Sequence, residues 1–328
     1  MTMKALVLNR YNGPLELTAV PMPKAERGQV LVRVKASGLN PLDTKIRSGN
    51  AAHAKHPLPL VLGIDMAGTI EAVGEGVTGF SVGDDVYGMT GGVGGLQGSL
   101  AQFQAVDARL LAHKPSNLSM KEAAAIPLSF ITSYEGIADR AKLKAGQTVL
   151  VQGGAGGVGH VSVQLAIAMG ARVFATVSER DSDLIKAYGA TPIDYRANSV
   201  DKYVEALTQG EGFDLVADTV GGASLDASFK AVKQFGHVVS ALGWGTHALA
   251  PLSFREATYS GVFTLSALLT GKHREHHGEM LRIATQLIEE GKLMPKLDPR
   301  SFDLGNAELG YKAIVDATNT GKIVVDVE

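Results

Sequence analysis

Gly154, Gly156 and Gly159 stand in the spacing G-x-G-x-x-G within TVLVQGGAGGVGHVSVQLAIAMG, residues 148–170. An apolar run ends at the glycine cluster, and an amphipathic helical run follows it. In a strand–turn–helix unit of this kind the first glycine allows the tight turn. The second lets the backbone approach a pyrophosphate, and the third lets helix and strand pack closely. The helix N-terminus then offers free N–H groups and a positive dipole end to the anion. The pattern predicts a dinucleotide held on Gly154, Ala155, Gly156, Gly157 and Val158.

The next strand, residues 172–177, bears on which dinucleotide. Dinucleotide folds specific for NAD place an acid at the end of this strand, on the ribose 2′-hydroxyl. Here that end reads Val177-Ser178-Glu179-Arg180. Val177 falls where the acid usually sits. Ser178 and Arg180 suit a 2′-phosphate, which a guanidinium grips in a fork. Glu179, turned inward, would favour NAD instead, and Ser178 to Asp181 also reads as a plain solvated turn. The expectation is NADPH.

Two other clusters could do chemistry. His273, His276 and His277 lie close in sequence, and a shared helix face for His273 and His277 would allow a metal clip. The same stretch also reads as a solvated helix start. The glycine-dense stretch 91–98 is either a mobile connector or a close-packed loop. The chain has no cysteine, which removes disulfides, thiolate nucleophiles and every cysteine-ligated zinc site.

These residues need a scaffold, and 328 residues suffice for two domains. Lys and Arg number 31, Asp and Glu 33, scattered along the chain, for a net charge of -2. Nothing there favours nucleic acid. No apolar run is long enough to span a bilayer, and the N-terminus lacks a signal-peptide core, so a cytoplasmic location is expected. The first third reads as short strands, such as residues 4–8, 29–37 and 66–73, punctuated by Gly, Pro and Asp. This predicts a β-rich, barrel-like domain. Ser119 and Glu122 fit a capping box opening a helix. Strands at 148–152, 172–177, 191–194, 215–218, 237–242 and 261–265 then alternate with helices at 182–188, 199–207 and 223–231. That is the parallel, doubly wound α/β pattern. Helices at 279–290 and 311–317 and a strand at 323–327 close the chain and are expected to return to the first domain.

With these patterns in place the chain resembles the medium-chain dehydrogenase/reductase superfamily, in its zinc-independent quinone oxidoreductase branch, which includes zeta-crystallin. The resemblance rests on Asn40-Pro41-Leu42-Asp43, Leu62-Gly63-Ile64-Asp65-Met66-Ala67-Gly68, Val82-Gly83-Asp84-Asp85-Val86-Tyr87-Gly88, Ala124-Ala125-Ile126-Pro127, the glycine turn, and Gly321-Lys322-Ile323-Val324-Val325. It implies a GroES-like β-barrel domain (1–118), a Rossmann NADP-binding domain with a doubly wound parallel sheet (119–266), a return to the first domain (267–328), and an active site in the cleft between domains. Zinc-dependent members carry Cys where Asn40 stands and His-Glu where Ile64-Asp65 stand, so no metal is expected. Zinc polarises carbonyls and acidifies alcohols. Without it the resemblance implies hydride transfer to quinones or other α,β-unsaturated carbonyls, whose conjugation spreads the developing charge. It also implies cofactor contacts at Asn40, Thr132, Tyr195, Thr219, Leu242, Gly243, Trp244 and Lys322. Asn40, with Asp43 orienting it, is the candidate catalytic pair. Trp244 either lines the acceptor pocket or covers the domain interface. Relatives pair through the last Rossmann strand, which predicts a homodimer through residues 261–265. Some relatives are lens proteins, so the alternative is a non-catalytic NADP-binding protein.

Overall fold

The structure is a computed structural model that describes residues 1–327. The chain divides into two compact units, Met1–Leu128 with Leu265–Glu328, and Ser129–Thr264.

The first unit is built mainly of antiparallel strands. β1 (Thr2–Leu8) lies between β2 (Leu15–Pro21) and β4 (Leu60–Val61) in a three-stranded sheet. β3 (Gln29–Gly38) pairs with β5 (Asp65–Val73) and with β7 (Phe103–Asp107). β6 (Asp85–Met89) and β8 (Leu111–His113) extend the sheet beyond β5. Helix α1 (Pro41–Arg47) starts two residues after β3, with Pro41 at its first position, where the missing N–H costs nothing. Ser119 and Glu122 form the expected capping box of α2 (Met120–Ala124): the Ser119 N–H donates to Glu122 Oε2 at 2.8 Å, and the Glu122 N–H to Ser119 Oγ at 3.3 Å. α2 packs on β3 and β5. The glycine-dense loop proves close-packed. A Cβ on Gly98 would strike Leu62 backbone, and one on Gly92 would lie 2.8 Å from the Gly63 carbonyl oxygen.

After α3 (Pro127–Tyr134) the second unit carries six parallel strands: β9 (Thr148–Gln152), β10 (Arg172–Val177), β11 (Thr191–Asp194), β12 (Phe213–Asp218), β13 (Val232–Ser240) and β14 (Thr258–Gly261). Their order is β11-β10-β9-β12-β13-β14. Val149, Leu150 and Val151 of β9 are all buried, which is why the strand reads as an apolar run rather than an alternation. Helices α4 (Gly159–Ala168), α5 (Ser182–Ala187), α6 (Val200–Thr208) and α7 (Ala223–Ala231) connect the strands, and α8 (Ala250–Ser253) precedes β14. Leu150, Phe174, Phe213, Val216 and Phe229 form the core of this unit.

Two local expectations change. The final strand is not 261–265 but Thr258–Gly261, and the chain leaves the sheet after Val262, whose N–H still reaches the Ser240 carbonyl at 2.9 Å. In the run 262–265 Leu265 is buried, whereas Phe263 is 41% exposed. Helix α4 is not amphipathic: Gly159 through Ala166 are all buried, including His160, Ser162 and Gln164. Two of these side chains have clear hydrogen-bond partners. The Ser162 hydroxyl lies 2.8 Å from that of Ser133, and Gln164 Nε2 donates to the His160 carbonyl at 3.1 Å.

The C-terminal part carries α9 (Ser266–Thr270), α10 (Arg274–Glu289), β15 (Phe302–Asp303), α11 (Ala307–Val315) and β16 (Val324–Asp326). β16 adds to β3 on the edge opposite β5, along residues 36–38 beyond the stretch that β7 pairs, and β15 adds to β16. Among the described residues no helix is long and apolar enough to cross a membrane.

Candidate functional site

Strand register builds the site of the first unit. Gly38, at the end of β3, pairs with Asp65 of β5 on one side and with Val324 of β16 on the other. Asn40 therefore follows, Asp65 opens its strand, and Lys322 precedes its strand, all around one point. A Cβ on Gly38 would lie 3.1 Å from both the Asp65 Cβ and the Lys322 Cε. Glycine there first of all admits the Ala124 carbonyl of α2, which a Cβ would strike, and also lets the two charged side chains approach.

The side chains form one buried network. Lys322 Nζ donates to Asp65 Oδ2 at 2.8 Å and to Asn40 Oδ1. Asn40 Nδ2 donates to Asp65 Oδ2 at 3.1 Å and to the Gly38 carbonyl at 3.2 Å. The Leu128 N–H holds Asp65 Oδ1 at 2.8 Å. Asn40 thus uses both ends of its amide inside the protein. Positions 40 and 65, where the resemblance puts metal ligands in zinc-dependent members, hold an ammonium here.

Asp43, at the third position of α1, accepts from the Asn40 N–H at 2.8 Å through Oδ2. It is fully buried, and its Oδ1 has no hydrogen-bond partner. Burial dominates, offset in part by the Asn40 N–H and Lys322, and pushes its carboxyl up to about 7. The buried Tyr311 hydroxyl of α11 also lacks a hydrogen-bond partner. Burial, and next the nearby Asp43, raise that phenol well above its ordinary value. Sequence reasoning missed Tyr311 and the Asp65–Lys322 pairing. An acid at the start of an otherwise apolar strand was the available signal for the latter.

In the same unit a cavity of about 460 Å³ is lined by Tyr11, Ile46, Ala51, Lys55, His56 and Pro57 among others. Ile46 lies on α1, three residues after Asp43. His56 is uncharged in role: its Nδ1 accepts from the Gly95 N–H and its Nε2 faces the Val61 carbonyl, each at 3.2 Å, and burial lowers its pKa.

The second unit carries the glycine turn. The left-handed residue is Gly153 (φ 74°), one position before the first glycine of the fingerprint. Gly154 serves packing instead, since a Cβ there would lie 2.6 Å from the Ala175 Cβ. A Cβ on Gly159 would run into the Gly153 carbonyl, so the third glycine brings helix and turn together as expected. Gly156 and Gly157 are exposed, and a Cβ on Gly157 would meet nothing within 4 Å. The N–H groups of Ala155, Gly157 and Val158 have no backbone or side-chain acceptor among the described residues. An open turn with unmatched donors at the start of a ten-residue helix fits a pyrophosphate.

Apart from Thr132 on α3, the remaining candidates follow the parallel strands. Thr132, Val158 and Thr219 line one small cleft together with Asp218 and Ser240. Thr132 Oγ1 sits 3.0 Å from Thr264 Oγ1, and Thr219 Oγ1 donates to the Gln152 carbonyl at 2.7 Å. Leu242, Gly243 and Trp244 follow β13. The Leu242 N–H donates to Ser240 Oγ at 3.1 Å, and Trp244 is 56% exposed.

After β10, Ser178 Oγ and Arg180 Nε both donate to Asp181 Oδ2, at 2.7 and 3.3 Å. The Arg180 side chain is otherwise 84% exposed. Asp181 is a partner the sequence reading did not weigh, although it stands three residues after Ser178. Tyr195 follows β11, 53% exposed, with the Arg196 guanidinium 5.7 Å from its ring centroid.

The histidines are not brought together. His273 is an exposed, left-handed residue before α10, whereas His277 is buried and His276 Nδ1 sits 3.0 Å from Glu279 Oε2. No group of three metal-binding side chains occurs among the described residues.

Comparison with known proteins adds the following. The family described as alcohol dehydrogenase GroES-like domain matches residues 26–116, and the one described as zinc-binding dehydrogenase matches residues 157–285. The chain is 34% identical to an NADPH-dependent alkenal/one oxidoreductase, chloroplastic, of Arabidopsis thaliana, over 98% of this chain and 79% of that one. It superposes with a TM-score of 0.98 on an alcohol dehydrogenase superfamily protein from Novosphingobium aromaticivorans, at 56% identity over 100% of both chains. It superposes with a TM-score of 0.83 on the quinone oxidoreductase from Coxiella burnetii, at 29% identity, again over 100% of both.

Proposed function

The chain belongs to the medium-chain dehydrogenase/reductase superfamily, in its zinc-independent quinone oxidoreductase branch, and from that premise we propose that it is an NADPH-dependent reductase of quinones and other α,β-unsaturated carbonyls. The observation that carries this reading is the convergence of Asn40 and Asp65 on the Lys322 ammonium. A dication brought to the same atoms would meet a fixed positive charge at contact distance. An acceptor that spreads charge through conjugation suits such a site better than an alcohol does.

A bound nicotinamide dinucleotide supplies the hydride. The protein's part is to hold, orient and shield. We assign the pyrophosphate to the 154–158 turn, and the nicotinamide half to Thr132, Thr219 and Leu242-Gly243-Trp244. Ser178, Arg180 and Tyr195 are assigned to the 2′-phosphate, supported by the second guanidinium of Arg196 beside Tyr195 and by the cofactor in the Arabidopsis relative's name. Asp181 opposes this by drawing on Ser178 and Arg180. Asn40 and Asp43 act as orienting groups.

The test is oxidation of NADPH and NADH with a panel of quinones, enals, enones and saturated aldehydes, with and without a chelator. Turnover confined to conjugated acceptors, faster with NADPH and indifferent to chelation, is expected. Cofactor binding without turnover on any acceptor would favour the crystallin-like alternative. Activity lost to a chelator and restored by zinc would overturn the metal-free reading.

A further inference from the structure

The donors of Lys322 do not add up inside the protein. An ammonium carries three N–H donors. Asn40 Oδ1 takes one and Asp65 Oδ2 takes the second. No third acceptor is found among the described residues. Everything around the ammonium is immobilised: Asp65 by the Leu128 N–H and Asn40 Nδ2, and Asn40 by Asp65, the Gly38 carbonyl and the Asp43 carboxyl. The Asp65 side chain has no exposure, whereas that of Lys322 keeps 6%. What this network leaves is therefore a cation with one unmatched donor, held at fixed geometry, on a side chain that keeps a small exposure. A purely structural ion pair would gain from closing that donor on the protein, since a buried unmatched N–H is costly.

We infer that the third N–H of Lys322 donates to the carbonyl oxygen of the acceptor, which makes Lys322 the electrophilic catalytic residue rather than a cofactor ligand. This rests on the reductase reading above. In the step, a hydride from the reduced nicotinamide forms a C–H bond at the carbon β to the carbonyl. The C=C π pair moves to the α-carbon–carbonyl bond, and the C=O π pair moves onto oxygen, giving an enolate. The Lys322 N–H bond to that oxygen strengthens as charge develops. A solvent proton then adds at the α-carbon, the carbonyl re-forms, and the acceptor has gained one hydride and one proton. Preorganised donors at a developing oxyanion contribute on the order of a hundredfold in rate.

The probe is para-dimethylaminocinnamaldehyde, an enal whose absorption moves to longer wavelength when a cation polarises its oxygen. It is titrated into wild-type protein, into Lys322→Arg, and into the double variant Lys322→Met with Asp65→Asn. The double variant avoids leaving a carboxylate buried without its partner. A red shift is expected with wild type and not with the double variant. kcat on enones should fall roughly a hundredfold in the double variant, with a much smaller loss of cofactor affinity. Lys322→Arg should keep part of the shift. The wild-type titration needs no variant, and absence of a shift there overturns the inference. So does an unchanged shift in a folded double variant, or a loss of cofactor affinity as large as the loss of kcat. A wild-type shift without turnover on any conjugated acceptor would instead overturn the reductase reading and leave the Lys322 contact standing.

Discussion

Asp181 stands between the expected phosphate ligands and the cofactor they would recognise. Its carboxylate accepts from both Ser178 and Arg180, so a 2′-phosphate must win those donors from it. Arg180→Ala should weaken NADPH roughly ten- to a hundredfold, the value of a charge-assisted hydrogen bond, and spare NADH. Asp181→Asn should do the reverse, tightening NADPH by removing a competing charge. Fluorescence titration of both cofactors against both variants decides, and equal losses of NADPH and NADH in Arg180→Ala would exclude the phosphate clamp. Asp43 carries a second prediction at this scale. Its folded value of about 7 lies above the ordinary 3.8. Between those values the folded state binds more protons than the unfolded chain. Its contribution to stability is thus complete below about pH 4, declines as pH rises toward 7, and is level above that. The slope is at most about 1.4 kcal/mol per pH unit. Asp43→Asn cannot ionise and still offers an oxygen to the Asn40 N–H. Thermal unfolding from pH 5 to 8 should show a flatter decline for this variant, with a higher Tm than wild type at pH 8. Parallel curves would show that Asp43 does not titrate in this window.

The element that matters most is the turn from β9 into α4. Its glycines divide the work by position, which makes them separable by substitution. Gly159 lies against the Gly153 carbonyl, so a side chain there would disrupt the fold. Gly157 faces open space with φ outside the left-handed region, so Val fits the backbone. Gly157→Val should leave the circular dichroism spectrum and Tm near wild type. It should weaken dinucleotide binding at least tenfold, about 1.4 kcal/mol, because its methyls occupy the approach to the helix N-terminus. Unchanged affinity in the folded variant would remove the phosphate from this turn.

At the level of the whole molecule the open question is assembly. β14 ends the parallel sheet, and among the described residues nothing pairs along its outer side. Thr258 and Tyr259 are exposed on it. Natural sheets cover or charge such edges, and a two-fold partner would cover this one with its own copy. A homodimer is expected by light scattering at micromolar concentration. Thr258→Lys, which charges the edge, should shift the population toward monomer. A wild-type monomer at that concentration would argue against pairing here.

The doubly wound pattern, the capping box at Ser119 and the glycine turn were legible in the residues themselves, because each is written in local spacing: a period of strand and helix, a three-residue cap, a fingerprint between two elements. Asn40, Asp43 and Lys322 were singled out only by the family resemblance. The amphipathic reading of α4 failed because periodicity reports polarity, while burial of His160, Ser162 and Gln164 depends on partners distant in sequence. The final strand was misplaced because a short apolar run at 262–265 does not by itself record whether it pairs in a sheet; here Leu265 is buried while Phe263 is exposed. Only the tertiary structure joined Lys322 to Asp65 and Asn40. Those residues lie 257 and 282 positions from Lys322, and β-register at Gly38 brings them together. Pairings of that span depend on how strands from both ends of the chain close around one point, and no local spacing records them.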